Sequence, residues 1–368
     1  MKRIAALLLA VMLLLTACAK TPDPTEPSTE ATTAPTETTT EATTQPTETT
    51  QAPEAQYHNP LTGEPLEEPI MERPYAVVMN NIYDAQPMHG VGQADIFYEY
   101  MVDGLSGGIT RCLALFTDVG QVEKIGSIRS ARTYNISLAR SYQALFAHAG
   151  GSTMADSLLK SGVVNDLDAG KASSNIFYRD QDRLNSGYAL EHTMFTSGEK
   201  LMAYAQQLGY HAALPQPYDV GLTFDDDAEL KGDRAYEITV RFRSSNGKGS
   251  FFTYDAQKGT YTMVQEFYGQ HQRDFIDANT DEQVEFRNVM VLHATSTLDS
   301  DGYHIYTQLT GEGTGYFARD GKLVSIRWER ETEDDPFSYY LEDGTPVALG
   351  VGSTYIGIVP PDSPFQYQ

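Results

Sequence analysis

The stretch from residue 21 to residue 55 most strongly constrains what this chain can fold into. It reads TPDPTEPSTEATTAPTETTTEATTQPTETTQAPEA and consists almost entirely of Thr, Pro, Glu and Ala, with no aromatic residue. Such a segment buries too little apolar surface to offset the entropy of ordering it. We therefore predict that residues 18–56 form a disordered, extended tether, and that the fold is built from the residues after it.

The residues before the tether have the pattern of a leader that is removed. Lys2 and Arg3 precede an apolar run that is too short to span a bilayer. The run ends in Leu-Thr-Ala-Cys, which resembles a bacterial lipobox and predicts a signal peptide over residues 1–17 and a lipid on Cys18. We expect an extracytoplasmic protein, anchored to the outer face of the cell membrane by its N-terminal lipid. The alternative is an ordinary signal peptide with an incidental cysteine.

The balance of charge excludes one class of partner. The chain has 50 acidic and 26 basic residues and a net charge of −24. Because nucleic-acid binding relies on Lys and Arg against phosphate, we expect no nucleic-acid partner. The only cysteine besides Cys18 is Cys112, in an apolar run, so we expect no disulfide within the chain and interpret Cys112 as core.

Residues 57–210 alternate between strand and helix patterns, which is typical of an α/β domain. The predicted strands cover residues 75–80, 94–104, 108–116 and 144–150, and the predicted helices cover residues 133–143 and 153–161. The strand pair 94–104 and 108–116 is joined through glycines.

Residues 235–368 have a different pattern. They contain alternating runs rich in Tyr and Phe, separated by turn pairs such as Asp301-Gly302 and Asp343-Gly344. This predicts a mostly antiparallel β domain after a linker at residues 211–234, so the fold class of the whole is α+β. Trp328 and the preceding Tyr303, Tyr306, Tyr316 and Phe317 are interpreted as core of that domain, with stacking on sugar rings as the alternative.

A series of short segments resembles one known family. In chain order they are NPLTGEP (59–65), RPYAVVMNN (73–81), QADIFYEY (93–100), GGITR (107–111), EKIGSIRSAR (123–132), HAGGS (148–152), NVMVLHA (288–294), TGEGTGYFARDGK (310–322) and IRWER (326–330). Together they resemble the YerB-like lipoproteins, envelope proteins of largely unknown function. The resemblance implies a layered-sandwich N-terminal domain with a distinct C-terminal domain. The family usually has Pro-His-Asn-Leu-Tyr where this chain has Glu-His-Thr-Met-Phe at residues 191–195, so a role for an amide at position 193 is not implied here.

The segment GSIRSAR, residues 126–132, is the main candidate for a binding site. If a helix begins near Ser130, that serine is its N-cap, and Arg132 falls in the first turn, where a positive charge opposes the helix dipole. An anion at the helix start relieves that conflict. The loop HAGGS follows another predicted strand, at the kind of strand end where α/β sheets place ligands. We predict an anion-binding site formed by Arg111, Arg129, Ser130, Arg132, His148, Gly150, Gly151, Ser152 and His192.

Purely structural roles are the alternative for these residues. The arginines could pair with carboxylates in a structural network, and the two glycines could serve only a tight turn. Arg179 and Arg183 are interpreted as structural or solvated. The candidate carboxylate partners are Glu99, Asp103, Glu123 and Asp166.

The sequence is compatible with two functions. The first is a lipid-anchored envelope protein that binds an anionic cell-wall component or a protein partner; the absence of a complete catalytic set favours it. The second is a wall-polymer hydrolase that uses His148 with Glu99 or Asp103. We expect no cofactor. The NDLD segment at residues 165–168 offers oxygen ligands but lacks the spacing of an EF-hand, so we predict a turn there and no metal site.

Overall fold

The structure is a computed structural model that describes residues 56–102, 108–243 and 247–368. The predicted signal peptide, Cys18 and nearly all of the tether lie outside the described residues. The helices are α1 (Thr133–Ser141), α2 (Thr153–Lys160), α3 (Gln181–Asn185) and α4 (Gly198–Gln207).

The strands are short to medium in length and occur throughout the described chain. In the first half they are β1 (Tyr57–His58), β2 (Pro65–Leu66), β3 (Tyr75–Asn81), β4 (Ile96–Met101), β5 (Thr110–Phe116), β6 (Ile125–Gly126), β7 (Leu145–His148), β8 (Asp166–Asp168), β9 (Tyr178–Arg179) and β10 (Met194–Thr196). They continue as β11 (Thr223–Phe224), β12 (Asp233–Arg234), β13 (Glu237–Arg241), β14 (Gly249–Asp255), β15 (Thr260–Phe267), β16 (His271–Asp274), β17 (Ile276–Asp277), β18 (Glu282–Gln283), β19 (Glu285–Phe286), β20 (Asn288–His293), β21 (Ser296–Leu298), β22 (Ile305–Thr307), β23 (Gly311–Arg319), β24 (Lys322–Arg330), β25 (Ser338–Leu341), β26 (Ala348–Leu349), β27 (Thr354–Val359) and β28 (Phe365–Tyr367).

An eleven-stranded mixed sheet forms the centre of the fold. Its order is β12-β24-β23-β20-β27-β4-β5-β3-β7-β8, and β25 also pairs with β24. The strands β3, β4, β5 and β27 are buried along their whole length, as expected for apolar strands covered on both faces. Near the C-terminus, β27 pairs in parallel with both β4 and β20. The sheet therefore joins strands from both halves of the sequence.

Side chains of the central sheet alternate between two cores. On one face, Ala76 and Val78 belong to the core that includes Leu138 of α1 and Leu159 of α2. On the other face, the neighbouring Val77 and Met79 belong to a core shared with α4 and an antiparallel six-stranded sheet. That second sheet has the order β16-β15-β14-β13-β28, with β19 on β15. The predicted α+β class, with a layered mixed sheet followed by antiparallel β structure, is confirmed.

The predicted strands and helices of the first half correspond to β3, β4, β5, β7, α1 and α2. Cys112 is buried in β5, which confirms its interpretation as core. The predicted linker, residues 211–234, contains β11 and β12, which pair with β26 and β24. The domain boundaries remain a prediction. Within the described part of the chain, no helix is long and apolar enough to cross a membrane.

A buried ion pair connects the two halves of the chain. Glu99 on β4 and Lys248, just before β14, are both fully buried, with Lys248 Nζ 3.0 Å from Glu99 Oε1. Burial lowers the pKa of Lys248, and the nearby Glu99 carboxylate opposes that shift. The carboxylate also accepts hydrogen bonds from Asn81, Thr110, Ser250 and Tyr355 at 2.6–2.8 Å. Every donor needed to hold a charge inside the protein is therefore present.

Replacing Lys248 by Met should strongly destabilise the fold. The Glu99 charge would stay buried without its counterion, which costs about 3–5 kcal/mol of unfolding free energy. Denaturant unfolding measures this cost. The double variant Glu99→Gln/Lys248→Met should recover part of it, and Lys258→Met, which removes an exposed lysine beside Glu285, should change little. A Lys248→Met variant as stable as wild type would contradict the role assigned to the pair.

Candidate functional site

The segments GSIRSAR and HAGGS lie side by side at one edge of the central sheet, meaning the edge formed by the carboxyl ends of β3 and β7. The backbone N–H of Arg129 donates to the carbonyl of Val78 in β3 at 2.9 Å. In turn, Ala149 N–H donates to the Arg129 carbonyl at 3.0 Å, and Ala131 N–H to the Gly150 carbonyl at 2.8 Å. The structure thus brings together two loops that follow different strands.

The start of α1 differs from the prediction. Ser130 is not the N-cap; Arg132 occupies that position, in an extended backbone conformation, and the helix begins at Thr133. The reason is that residues 129–131 are held extended by their backbone bonds to the neighbouring loop. Arg132 N–H donates to Asn135 Oδ1 at 2.7 Å, which satisfies one free donor of the helix start. Arg132 therefore precedes the helix instead of lying in its first turn.

The HAGGS loop is shaped mainly by the needs of its own turn. Ser152 is the N-cap of α2, and its hydroxyl accepts a bond from Ala155 N–H at 3.3 Å. Gly150 has φ of +74°, which favours glycine. A Cβ on Gly151 would lie 2.2 Å from Asp156 Oδ1. These contacts support the tight-turn interpretation of both glycines.

Three arginines lie close together near this edge, and the described residues bring only one carboxylate near them. Arg111 and Arg132 are 7% and 8% exposed, and their Nη1 atoms donate to the carbonyls of Ser130 and Ala131 at 2.8 and 2.9 Å. Among residues 56–102, 108–243 and 247–368, no carboxylate oxygen lies within 4.0 Å of either guanidinium. Arg129 Nη2 has only the exposed Glu191, at 3.9 Å. Asp103, one of the predicted partners, lies outside the described residues.

The arrangement lowers the pKa of each of the three arginines, mainly through burial. Burial, and then the charges of Arg132 and Arg129, lower the pKa of Arg111 to about 9. Burial also lowers the pKa of Arg129 and Arg132. Because a guanidinium keeps its charge at neutral pH, this segment concentrates positive charge in a chain of net charge −24.

Buried polar atoms that lack a hydrogen-bond partner are concentrated in the same segment. Interiors normally satisfy nearly all such atoms, so a local group of exceptions needs a physical explanation. Each of these atoms can donate a hydrogen bond. The atoms without a partner among the described residues are Ser127 Oγ, Arg129 Nε, Arg132 Nε, Thr133 Oγ1 and Asn135 Nδ2, together with Tyr100 Oη on β4. A ligand with several negatively charged acceptor oxygens would match this set of donors.

His148 does not join the arginines. Its side chain is 1% exposed, its Nδ1 lies 2.9 Å from the Gly150 carbonyl, and its Nε2 lies 3.6 Å from Asp166 Oδ2. Asp166 and Asp168 belong to β8, not to the predicted turn, because this segment pairs in parallel with β7. Burial would raise the pKa of Asp166, but His148 and Lys171 outweigh it and hold that pKa below its usual value.

The acid–base pair of His148 and Glu99, which belonged to the alternative hydrolase hypothesis, does not form. Glu99 is fully buried on the face of the central sheet that carries Phe97 and Tyr355, where it pairs with Lys248. His148 stacks on Phe146, which belongs to the core of the opposite face. The other proposed partner, Asp103, is not among the described residues.

His192 borders the arginine cluster but faces a separate cavity. Its Nδ1 lies 2.9 Å from Asn80 Nδ2, and its ring lines a cavity of about 570 Å³ together with Tyr83 and Arg273. The Glu191 carboxylate lies 3.9 Å from both His192 Nε2 and Arg129 Nη2. Burial lowers the pKa of His192. The hydroxyl of Thr193, where the family usually has Asn, donates to the Leu190 carbonyl at 2.8 Å.

Arg183 has a structural role. Its Nη1 donates to the carbonyls of Ala85 and His192 at 2.8 and 3.1 Å, and its Nη2 donates to the Pro87 carbonyl. The guanidinium also lies 4.8 Å from the centre of the Phe195 ring. Arg179 donates to the Leu190 carbonyl from a half-buried position on β9. The structural or solvated interpretation of these two residues agrees with the structure.

The sequence missed one residue that lies near the arginines. Tyr303 is 58% exposed, not core, and its side chain and that of Asp301 are close enough to influence the pKa of Arg132. Nothing in the sequence relates positions so far apart. Tyr306 is also exposed, whereas Trp328 and Phe317 are buried, which confirms the core interpretation for those two.

The described residues define a two-part α+β protein whose central sheet ends in an arginine-rich edge. Residues 61–211 match the family model "Protein of unknown function (DUF3048) N-terminal domain", and residues 238–356 match the corresponding "C-terminal domain". The chain belongs to this family, that of the YerB-like proteins, as the sequence motifs predicted.

A comparison of sequences and a comparison of structures both find YerB of Bacillus subtilis. It is 28% identical over 305 residues to a protein named "Putative lipoprotein YerB" from Bacillus subtilis (strain 168), across 82% of this chain and 86% of that protein. The crystal structure of YerB protein from Bacillus subtilis superposes with a TM-score of 0.71 at 26% identity. That match covers 84% of this chain and 99% of the solved one.

Stability measurements should separate the site arginines from the structural one. Arg183→Ala leaves three carbonyls without their charged donor and should lower the unfolding free energy by about 2–3 kcal/mol. Arg129→Ala relieves repulsion from the neighbouring arginines, so its stability should stay within about 0.5 kcal/mol of wild type or rise. Denaturant unfolding of both variants provides the comparison. An equal loss in both variants would show that Arg129 supports the fold.

Proposed function

We propose that this protein is held at the outer face of the cell membrane by a lipid on Cys18 and binds an anionic cell-wall component through Arg111, Arg129 and Arg132. Support for the location comes from the leader pattern and from the similarity to a protein named as a lipoprotein. The proposed tether would carry the folded part from the membrane toward the wall.

Several buried donors beside the three arginines have no partner among the described residues, and this is the observation that carries the binding proposal. Like charges held together at low exposure destabilise a fold, and proteins keep such arrangements mainly where a ligand uses them. Each guanidinium offers donors in a planar fork that suits carboxylate and phosphate oxygens. The exposed ring of Tyr303 near Arg132 adds a surface on which a sugar ring could stack.

Binding is favoured over hydrolysis. Among the described residues, His148 has no exposed catalytic position and does not meet Glu99. The overall negative charge of the protein opposes long-range attraction of an anionic polymer. At physiological ionic strength, however, that repulsion is screened beyond about 8 Å, so the local cluster decides the interaction.

Binding of purified wall polymers to the compact unit Pro53–Gln368 tests the proposal. One sample is a phosphate-containing polymer of the teichoic type, and the other is peptidoglycan stripped of it. Each arginine–anion bond contributes about 1.5–3 kcal/mol, so Arg129→Ala/Arg132→Ala should bind at least about tenfold more weakly. Preference between the two samples identifies phosphate or carboxylate as the recognised group.

The matched control is Arg234→Ala/Arg327→Ala, which removes the same charge from two exposed arginines and should bind like wild type. Equal binding by the wild type and the site variant would overturn the proposal. A wild-type protein that binds neither of the two polymers would also overturn it. Anchoring is tested separately: Cys18→Ala should release the chain from the membrane fraction.

A further inference from the structure

We propose that His148, Asp166 and Asp168 form a site for a divalent transition-metal ion at the carboxyl ends of β7 and β8. The two strands are parallel, and His148 pairs with Asp168 while Phe146 pairs with Asp166. This register places the three polar side chains on the same face of the sheet. One potential ligand atom from each residue lies within 4.8 Å of the others. Neither the sequence pattern nor the proposed anion site accounts for this cluster.

The orientation of His148 points to a ligand role. The Gly150 carbonyl can only accept, so the contact of 2.9 Å makes Nδ1 the donor and leaves the lone pair of the neutral ring on Nε2. A backbone carbonyl that fixes a histidine in this way is typical of metal-binding histidines. Nε2 is buried, has no hydrogen-bond partner among the described residues, and faces Asp166 Oδ2 at 3.6 Å. A cation between the lone pair and the carboxylate would satisfy both.

The distances suit a small ion. With bonds of about 2.0–2.2 Å, two ligand atoms of a tetrahedral zinc ion lie about 3.4 Å apart. The separation of His148 Nε2 from Asp166 Oδ2, 3.6 Å, is close to that value. Asp168 Oδ1 lies 4.0 Å from His148 Nδ1, so the Asp168 side chain would have to rotate toward Nε2 to bind the same ion. The Gly170 N–H donates to Asp168 Oδ1 at 2.8 Å, which orients this carboxylate.

The mixed ligand set indicates which ions fit. One imidazole nitrogen and two carboxylates suit Zn²⁺ or Mn²⁺, whereas Ca²⁺ prefers six or more oxygen ligands. The remaining coordination position would be taken by water.

Lys171 would compete with the metal ion. Its Nζ lies 2.9 Å from Asp166 Oδ2 and 3.9 Å from Asp168 Oδ2, so its positive charge lies against both carboxylates. The side chain is 62% exposed and can leave for solvent at little cost. Removing Lys171 should therefore strengthen metal binding, an effect that would not follow if the cluster were only an ion-pair network.

The test is calorimetric titration of EDTA-treated Pro53–Gln368 with ZnCl₂ and MnCl₂, with CaCl₂ as the comparison. We expect one Zn²⁺ per chain. Asp166→Asn and Asp168→Asn should each weaken binding at least tenfold, and Lys171→Met should tighten it. Because His148 is buried and its removal could unfold the protein, the partly exposed aspartates and Lys171 carry the conclusion.

The chain has 8 histidines, so adventitious zinc binding needs a control. His304→Ala removes a half-buried histidine whose Nδ1 lies 2.5 Å from Asp301 Oδ2, and it should leave the affinity unchanged. Overturning results are wild-type affinity in both aspartate variants, loss of the site in His304→Ala, or no binding even in Lys171→Met. No wall polymer is present, so the result is independent of the proposed anion binding.

Discussion

The Glu99 carboxylate holds the two halves of this protein together, and its hydrogen bonds show how. Its donors come from β3, β5, β14 and β27 and from the residue that precedes β14, so they span most of the described chain. Burying a carboxylate costs several kcal/mol unless every lone pair finds a donor. A shift of β4 by one residue would turn Glu99 to the opposite face and lose all of these bonds. The pair thus specifies the register of the central sheet as well as its connection to the second sheet.

That register determines where the arginines lie. The strands β3, β4 and β7 run in the same direction, so their carboxyl ends meet at one edge, and residues 127–132 cross it. Glu99 and the arginines are opposite cases of buried charge. Glu99 has a counterion and a full set of donors, whereas Arg111 and Arg132 bond only to backbone carbonyls among the described residues. The first arrangement is expected of a structural group and the second of a binding group.

Much of the fold could be predicted because its local patterns are strong. The apolar run of β3, the strand pair β4 and β5, and the helix start at Ser152 each depend on neighbours close in sequence. The pairing of β27 with β4 could not be predicted, since it joins residues 96–100 to residues 354–358, which are far apart in the sequence. The helix start was misplaced at Ser130 because its neighbours Arg129 and Ala131 form backbone bonds with the loop at residues 149–150. The carboxylates beside His148 could not be predicted because the pairing of β7 with β8 brings them there. Tyr303 was missed because its neighbour Arg132 is remote in sequence.

The most direct test of anion binding at this edge observes the arginine side chains themselves. Arginine Nε–H signals of Pro53–Gln368 can be followed by NMR while a short phosphate-containing wall oligomer is added, with assignments from single Arg→Lys variants. Anion binding at the arginine cluster predicts that the signals of Arg129 and Arg132 shift together and exchange more slowly with water. Their Nε atoms have no partner among the described residues and would gain acceptors. The signal of Arg183, whose Nη atoms already donate to carbonyls, should stay in place. Shifts elsewhere in the protein, with unchanged signals from Arg129 and Arg132, would contradict it.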